Sequence, residues 1–171
     1  GAEGVVYDEF GDDNITQDAF DPSLSYELAF DDGYIDPRVI LFIQRTGTRI
    51  HVFDELYETK TLDATGVRHT LERIAAMYSL TLPDDWATMS LADASTWLIE
   101  HGAALPEIAI GGAESVKLMR QFREANISAR GGTHPIVEGI NHVRSLVRDG
   151  RGYRSLQVSP KCSNLIREMM Q

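Results

Sequence analysis

The chain has 171 residues, 43% of them hydrophobic, with a formal net charge of −10, which suits one domain with its own core. No apolar run approaches the ~20 residues that a bilayer span needs, so we expect no membrane partner. The acidic, polar N-terminus does not resemble a secretory signal, and the single Cys162 excludes an internal disulfide and favours a reducing cytoplasm.

Three strands joined by two short turns are predicted after an acidic, turn-rich stretch, residues 1–25, which we expect to form a loosely structured arm with a short strand near residues 4–7. The middle strand is apolar at every position, which is typical of a strand covered on both faces. The two turns predict an antiparallel meander. The strands are Tyr26–Phe30, Val39–Ile43 and Ile50–Phe53.

The rest of the chain alternates between helices and short strands. Apolar residues at helical spacing predict the helices, and Ser90 with Asp93 is typical of a capping box. The predicted helices run from Asp63 or Thr65 to about Tyr78, over Leu91–His101 and Ser115–Ala125, from Pro135 to about Arg148, and over Ser163–Met170. The predicted strands are Glu107–Ile110, Ile127–Ala129 and Tyr153–Val158.

Carboxylates collect at the predicted strand ends and in the first turn. Like charges on one sheet edge repel, and a divalent cation, which prefers oxygen ligands, would neutralise them. Local sequence alone favours a plain turn at Asp31-Asp32-Gly33, because Asp and Gly also dominate turns. The five acids are Asp31, Asp32, Asp36, Asp54 and Glu55.

These acids stand in a pattern that resembles the nuclease domain of the large subunit of tailed-phage terminases. The pattern is Asp31, Gly33, an aromatic residue, Asp36-Pro37, a hydrophobic strand, and a strand ending in Asp54-Glu55. Two later stretches, GINHVRSL and LQVSPKCSNLIREM, resemble the family's second half, and GAEGVVYDEF resembles its lead-in. The resemblance implies an α/β, RNase H-like domain over residues 26–171 after a lead-in arm over residues 1–25. In this fold a mixed sheet, three antiparallel strands and then parallel strands, is flanked by helices.

The resemblance also implies roles for individual residues at a two-metal site that takes Mg²⁺ or Mn²⁺. Asp31 matches the first catalytic aspartate and would bind metal. Asp36 would be an outer ligand, and its alternative role is that of a turn residue before Pro37. Glu55 would act in catalysis by binding metal through water or by orienting a ligand. Its alternative is a solvated acid at a strand end.

Two positions depart from the family pattern. Gly112 stands where the second metal-binding aspartate is expected, and Glu114 follows two residues later, where it would complement a helix dipole. The third acid of the family follows the last helix. We therefore expect it beyond Gln171, in a domain truncated at its C-terminus.

The two halves of the chain differ in charge. Residues 1–112 hold 21 acids against 6 Lys or Arg, a net of −15, whereas residues 113–171 hold 5 acids against 10 Lys or Arg, a net of +5. Such asymmetry suggests an interaction surface for double-stranded DNA, and a solvated surface is the alternative. The five histidines show no metal-ligand spacing. The predicted DNA contacts are Arg144, Arg148, Arg151, Arg154 and Lys161.

The resemblance implies a metal-dependent endonuclease domain that cuts concatemeric double-stranded DNA during phage genome packaging in the cytoplasm of the bacterial host. The chain lacks the phosphate-binding loop of an ATPase. The resemblance implies that an N-terminal ATPase domain of the parent protein carries that loop, with the small terminase subunit and the portal as partners. The alternative, favoured by Gly112, is a catalytically impaired RNase H-like module that binds DNA or a packaging partner. The terminase-like second half disfavours a resolvase or transposase core.

Overall fold

A mixed sheet of six strands organises the residues that the computed structural model describes, which are 10–31, 37–47, 49–112, 114–132 and 156–170. The strand order across the sheet is β5-β4-β1-β2-β3-β6. Only β2 runs against its neighbours, so the described sheet is an antiparallel meander with parallel strands added on both sides. The strands are β1 (Glu27–Asp31), β2 (Arg38–Thr46), β3 (Arg49–Glu58), β4 (Ala109–Gly111), β5 (Ala129–Gly131) and β6 (Leu156–Val158).

Four described helices flank this sheet. The buried positions of each recur every three or four residues, which presents one apolar stripe to the core. The Phe122 ring of the third helix lies 5.3 Å from the Phe30 ring of β1. None of the described helices has the length and hydrophobicity of a membrane span. The helices are α1 (Asp63–Met77), α2 (Leu91–Glu100), α3 (Val116–Glu124) and α4 (Ser163–Met170).

The element order confirms the predicted fold class, with one error that matters for the site. Asp54 and Glu55 were predicted at a strand end, and this placement is wrong, because β3 continues to Glu58 and both acids are buried inside it. Pairing with β2 continues past them, since each charge is compensated from outside the strand. Arg73 of α1 meets Asp54, and backbone N–H groups of α4 meet Glu55.

The start of α1 also differs from the prediction. Leu62 occupies the N-cap position, one residue before Asp63 and three before Thr65, and its side chain makes no capping hydrogen bond. Asp63 instead accepts a hydrogen bond from Arg38 at 2.7 Å. The Arg38 guanidinium is buried, and a buried cation requires such a partner. The capping interaction predicted for α2 is present, because the Ser90 hydroxyl accepts from the Asp93 N–H at 3.0 Å.

The described part of the N-terminal arm is packed onto the sheet, not loose as the sequence predicts. Phe10 and Asn14 are buried, and the Asn14 side chain donates to the Leu156 carbonyl at 3.1 Å. Ile15 forms a parallel bridge to Val158. The strand predicted near residues 4–7 and the helix predicted from residue 135 lie outside the described residues.

The packing of Phe30 against β4 predicts that Gly111→Ala destabilises the domain. A Cβ at Gly111 would lie 2.6 Å from Cδ2 of Phe30 and closer still to two other ring atoms. Because Phe30 is fully buried, we expect a loss of about 1–3 kcal/mol from overpacking, measured by urea unfolding. Gly11→Ala is the matched control, since a Cβ there meets nothing within 4 Å. Equal unfolding midpoints for the two variants would contradict this packing.

Candidate functional site

The carboxyl ends of β1, β4 and β5 meet at one edge of the sheet. Phe30 pairs with Gly111 in the parallel ladder between β1 and β4, and Gly111 pairs with Gly131 of β5. One residue further along, Asp31 and Gly112 are therefore neighbours. This is the kind of edge at which open α/β sheets bind ligands.

Asp31 and position 112 also share a face of the sheet. Side chains alternate between faces along a strand, and Gly111 faces Phe30, so residue 112 faces the other way, as Asp31 does. Glu55 belongs to this second face, because Ala29 pairs with Leu41 and Leu41 with Glu55. Glu55 nevertheless lies two strands away from Asp31 and two residues deeper in the sheet.

The side chain of Glu114 fills the space beside Gly112. A Cβ built on Gly112 would lie 2.6 Å from both Cδ and Oε2 of Glu114, and closer still to Oε1. The Glu114 carboxylate thus stands where a side chain from position 112 would begin. From the sequence, Glu114 is only a helix-dipole acid, since nothing local shows that the chain folds it back over Gly112.

Glu55 anchors the last described helix to the sheet. Its Oε1 accepts from the Asn164 N–H at 2.7 Å and its Oε2 from the Leu165 N–H at 3.0 Å. These N–H groups belong to the first turn of α4, where unpaired donors and the helix dipole favour an anion. A role for Glu55 beside a metal stays a prediction. The structure gives its carboxylate a stabilising role that no local sequence pattern shows.

Asp54 is buried on the other face of the sheet between two cations. Its Oδ1 accepts from Arg73 Nη1 at 2.6 Å, and its Oδ2 lies 3.6 Å from Lys161 Nζ. Lys161, a predicted DNA contact, is exposed and faces this carboxylate. The other predicted DNA contacts, Arg144, Arg148, Arg151 and Arg154, lie outside the described residues, as do Asp32 and Asp36.

Cys162 lies beside these two acids and is fully buried. Its Sγ is 3.7 Å from the Val52 carbonyl oxygen. Burial, with the nearby Glu55 and Asp54 carboxylates, raises the pKa of the Cys162 thiol. A thiol held in its neutral form is a poor nucleophile, so Cys162 acts as a small core residue.

The edge between Asp31 and Glu114 suits a hard cation better than a soft one. Carboxylate oxygens are the ligands that Mg²⁺ and Mn²⁺ prefer. Over the described ranges, no three His, Cys, Asp or Glu side chains converge as a metal-binding group. Two carboxylates would supply only part of the coordination shell of such a cation.

Solved structures of the large terminase from a thermophilic bacteriophage share this fold. The complex with ADP has a TM-score of 0.59 at 13% identity and covers 96% of this chain and 36% of that one. The complex with ATP-gamma-S has a TM-score of 0.61 at 13% identity and covers 95% and 36%. A further crystal form gives a TM-score of 0.60 at 12% identity, covering 98% and 36%. The chain thus spans about a third of the length of these terminases.

No protein-family model matches the sequence, and no curated protein matches it. The structural likeness confirms the predicted resemblance to large terminases at the level of the fold. A sequence identity of 12–13% does not transfer the role of any individual residue to this chain.

The anchoring of α4 predicts that Glu55→Ala destabilises the domain by about 2–3 kcal/mol, because two backbone donors lose a charged acceptor. Glu55→Gln, which keeps one acceptor oxygen, should cost less. Hydrogen exchange at the Asn164 and Leu165 amides should accelerate in both variants. Glu100→Ala is the matched control, since Glu100 is exposed at the end of α2. Unchanged exchange at these two amides would show that Glu55 does not hold α4.

Proposed function

We propose that this domain is a divalent-metal-dependent endonuclease that cuts double-stranded DNA during phage genome packaging. The observation that carries the proposal is the pair of carboxylates at one sheet edge: Asp31 ends β1, and Glu114 reaches the space beside Gly112, the neighbour of Asp31. The fold that the chain shares with a phage large terminase supports DNA as the substrate.

In this proposal the two carboxylates hold Mg²⁺ or Mn²⁺ between them. Asp31 is fixed by the pairing of β1 on both sides, whereas Glu114 reaches in from the turn before α3. A bound divalent cation supplies a water of lowered pKa and stabilises the charge that develops on a phosphodiester. Gly112 contributes space, because a side chain there would displace the Glu114 carboxylate. Asp36 is proposed as a further, outer ligand of this cation.

The remaining parts of the proposal concern the parent protein. The chain covers 36% of the terminase chains that share its fold, so an ATPase domain N-terminal to it is proposed as the motor. The small terminase subunit and the portal are the proposed partners. The bacterial host cytoplasm is the proposed place of action.

A catalytically impaired DNA-binding module is the second candidate function. Gly112, which has no side chain to bind metal, favours it, and so does the exposure of Glu114, because an exposed side chain loses rotamer freedom when it binds. The two functions differ in whether the edge binds a cation tightly enough to support cleavage.

Metal binding distinguishes the two functions. We expect Asp31→Asn and Glu114→Gln each to weaken Mn²⁺ binding at least 10-fold in titration calorimetry, because each removes a charged oxygen ligand. Cleavage of plasmid DNA by the parent protein should fall with it. Glu107→Gln is the matched control, an exposed acid before β4. Unchanged Mn²⁺ affinity in Asp31→Asn would refute the metal site.

A rescue variant tests whether the Glu114 carboxylate takes the place of a carboxylate from position 112. Gly112→Asp combined with Glu114→Gln should recover most of the Mn²⁺ affinity that Glu114→Gln loses, because a carboxylate returns to the same space. The readout is again titration calorimetry, with thermal unfolding to verify the fold. If the double variant binds no better than Glu114→Gln alone, the two positions do not serve one site.

A further inference from the structure

We propose that the exposed face of α3, together with Arg130 of β5, binds the phosphate backbone of double-stranded DNA. This inference rests on the proposed function for the choice of partner. It assigns DNA binding to a surface that contains neither Asp31 nor Glu114, the two carboxylates of the proposed metal site, which we call the metal edge. The basic stripe consists of Lys117, Arg120, Arg123 and Arg130.

The helical periodicity of α3 places three of the four cations on one exposed face. Leu118, Met119 and Phe122 are buried against the sheet, so the helix turns its opposite face to solvent. Three cations recur on that exposed face at intervals of three residues, Lys117, Arg120 and Arg123. With a rise of 1.5 Å per residue, they extend over about 9 Å of the helix axis, which is long enough to meet more than one phosphate of a duplex.

Two of the arginines lie on either side of the outermost strand. Arg123 reaches from α3 and donates to the Ala129 carbonyl of β5 at 2.7 Å. Ala129 is buried, and the next residue, Arg130, is exposed and faces the other side of the sheet. In the described sheet β5 pairs only with β4. Arg123 and Arg130 therefore lie on opposite faces of the outermost strand, and the basic stripe continues around this lateral side of the sheet.

Charge distinguishes this surface from the rest of the described molecule. Residues 116–132 hold four cations and one acid, Glu124, a net of +3 in a chain of −10. The described part of the chain places no carboxylate in an ion pair with any of these four cations. Four arginines elsewhere are paired: Arg38 with Asp63, Arg45 with Glu27, Arg49 with Asp18 and Arg73 with Asp54.

The stripe begins beside the metal edge. Glu114 lies two residues before Val116, the first residue of α3, and Lys117 is the second residue of the helix. The carboxylates of the edge repel a polyanion, so cations close by must offset that repulsion if a duplex is to approach. A duplex along α3 would lie next to the turn that carries Glu114, and Asp31 lies at the same end of the strands on the face away from α3. An acidic protein would gain nothing from this continuity, which is why we assign the surface to DNA.

A triple variant that removes three positive charges tests the surface. Lys117→Gln, Arg120→Gln and Arg130→Gln together should weaken binding of a ~30-base-pair duplex evenly across sequences. The dependence of log K on log salt should flatten by about 2–3, or about 0.9 for each lost phosphate contact. Fluorescence anisotropy with EDTA keeps the metal edge out of the measurement. Arg123 is left in place because it also bonds β5.

The matched control removes three charges elsewhere, through Arg45→Gln, Arg49→Gln and Arg167→Gln, all of which change exposed or partly exposed side chains. It should leave the salt slope within about 0.5 of the parent chain's slope. If the two triple variants weaken binding equally, the effect depends only on the net charge of the protein, and the proposal is wrong. If the first triple variant fails to fold by circular dichroism, single Lys117→Gln and Arg120→Gln variants must each lower the slope by about 1.

The outcome separates this inference from the proposed function. A triple variant that binds the duplex like the parent, in a protein whose cleavage still depends on Asp31, refutes the stripe and leaves the nuclease. A parent chain that binds neither duplex nor Mn²⁺ refutes both. A stripe that binds polyglutamate but not the duplex belongs to an acidic protein partner, and the assignment to DNA is then wrong.

Discussion

The parallel pairing of β1 with β4 is the constraint on which the candidate site depends. It joins segments about 80 residues apart, and it places Phe30 directly beside Gly111. Because Gly111 has no side chain, the Phe30 ring can cross β4 and reach Phe122 of α3. That contact fixes α3 over the sheet and with it the turn that carries Glu114. The packing of one aromatic ring over a glycine therefore helps to place Asp31 and the turn that carries Glu114 at the same end of the sheet.

The acids of this chain fall into two groups that the sequence does not separate. Asp54 and Glu55 are compensated within the protein, by Arg73 and by the amino end of α4. A carboxylate that already serves a cation or two backbone donors stabilises the domain and is a weaker candidate for exchangeable ligands. Asp31 and Glu114 lie at the open end of the strands, where β1 and β4 finish. This position is why the proposed chemistry is placed at these two acids.

The order of strands and helices could be predicted because it depends on local patterns. The apolar run Val39–Ile43 predicts a strand covered on both faces, and four of its residues are buried in β2. The position of Asp54 and Glu55 could not be predicted, since the N–H groups that donate to Glu55 lie 109 and 110 residues later. Glu114 was missed for a similar reason, because its return over Gly112 depends on the path of the backbone after β4. The cations of α3 were visible in the sequence, but only burial shows that they share one exposed face.

Glu114 differs from an acid on a strand in the element that holds it. A carboxylate at position 112 would be held by β4, whereas Glu114 ends a turn that leads directly into the first residues of α3. Glu114 and the first turn of α3 are thus adjacent in the chain. Any coupling between cation binding at the carboxylates and DNA binding on the helix must be reciprocal, so that each would change the affinity for the other ligand by the same factor.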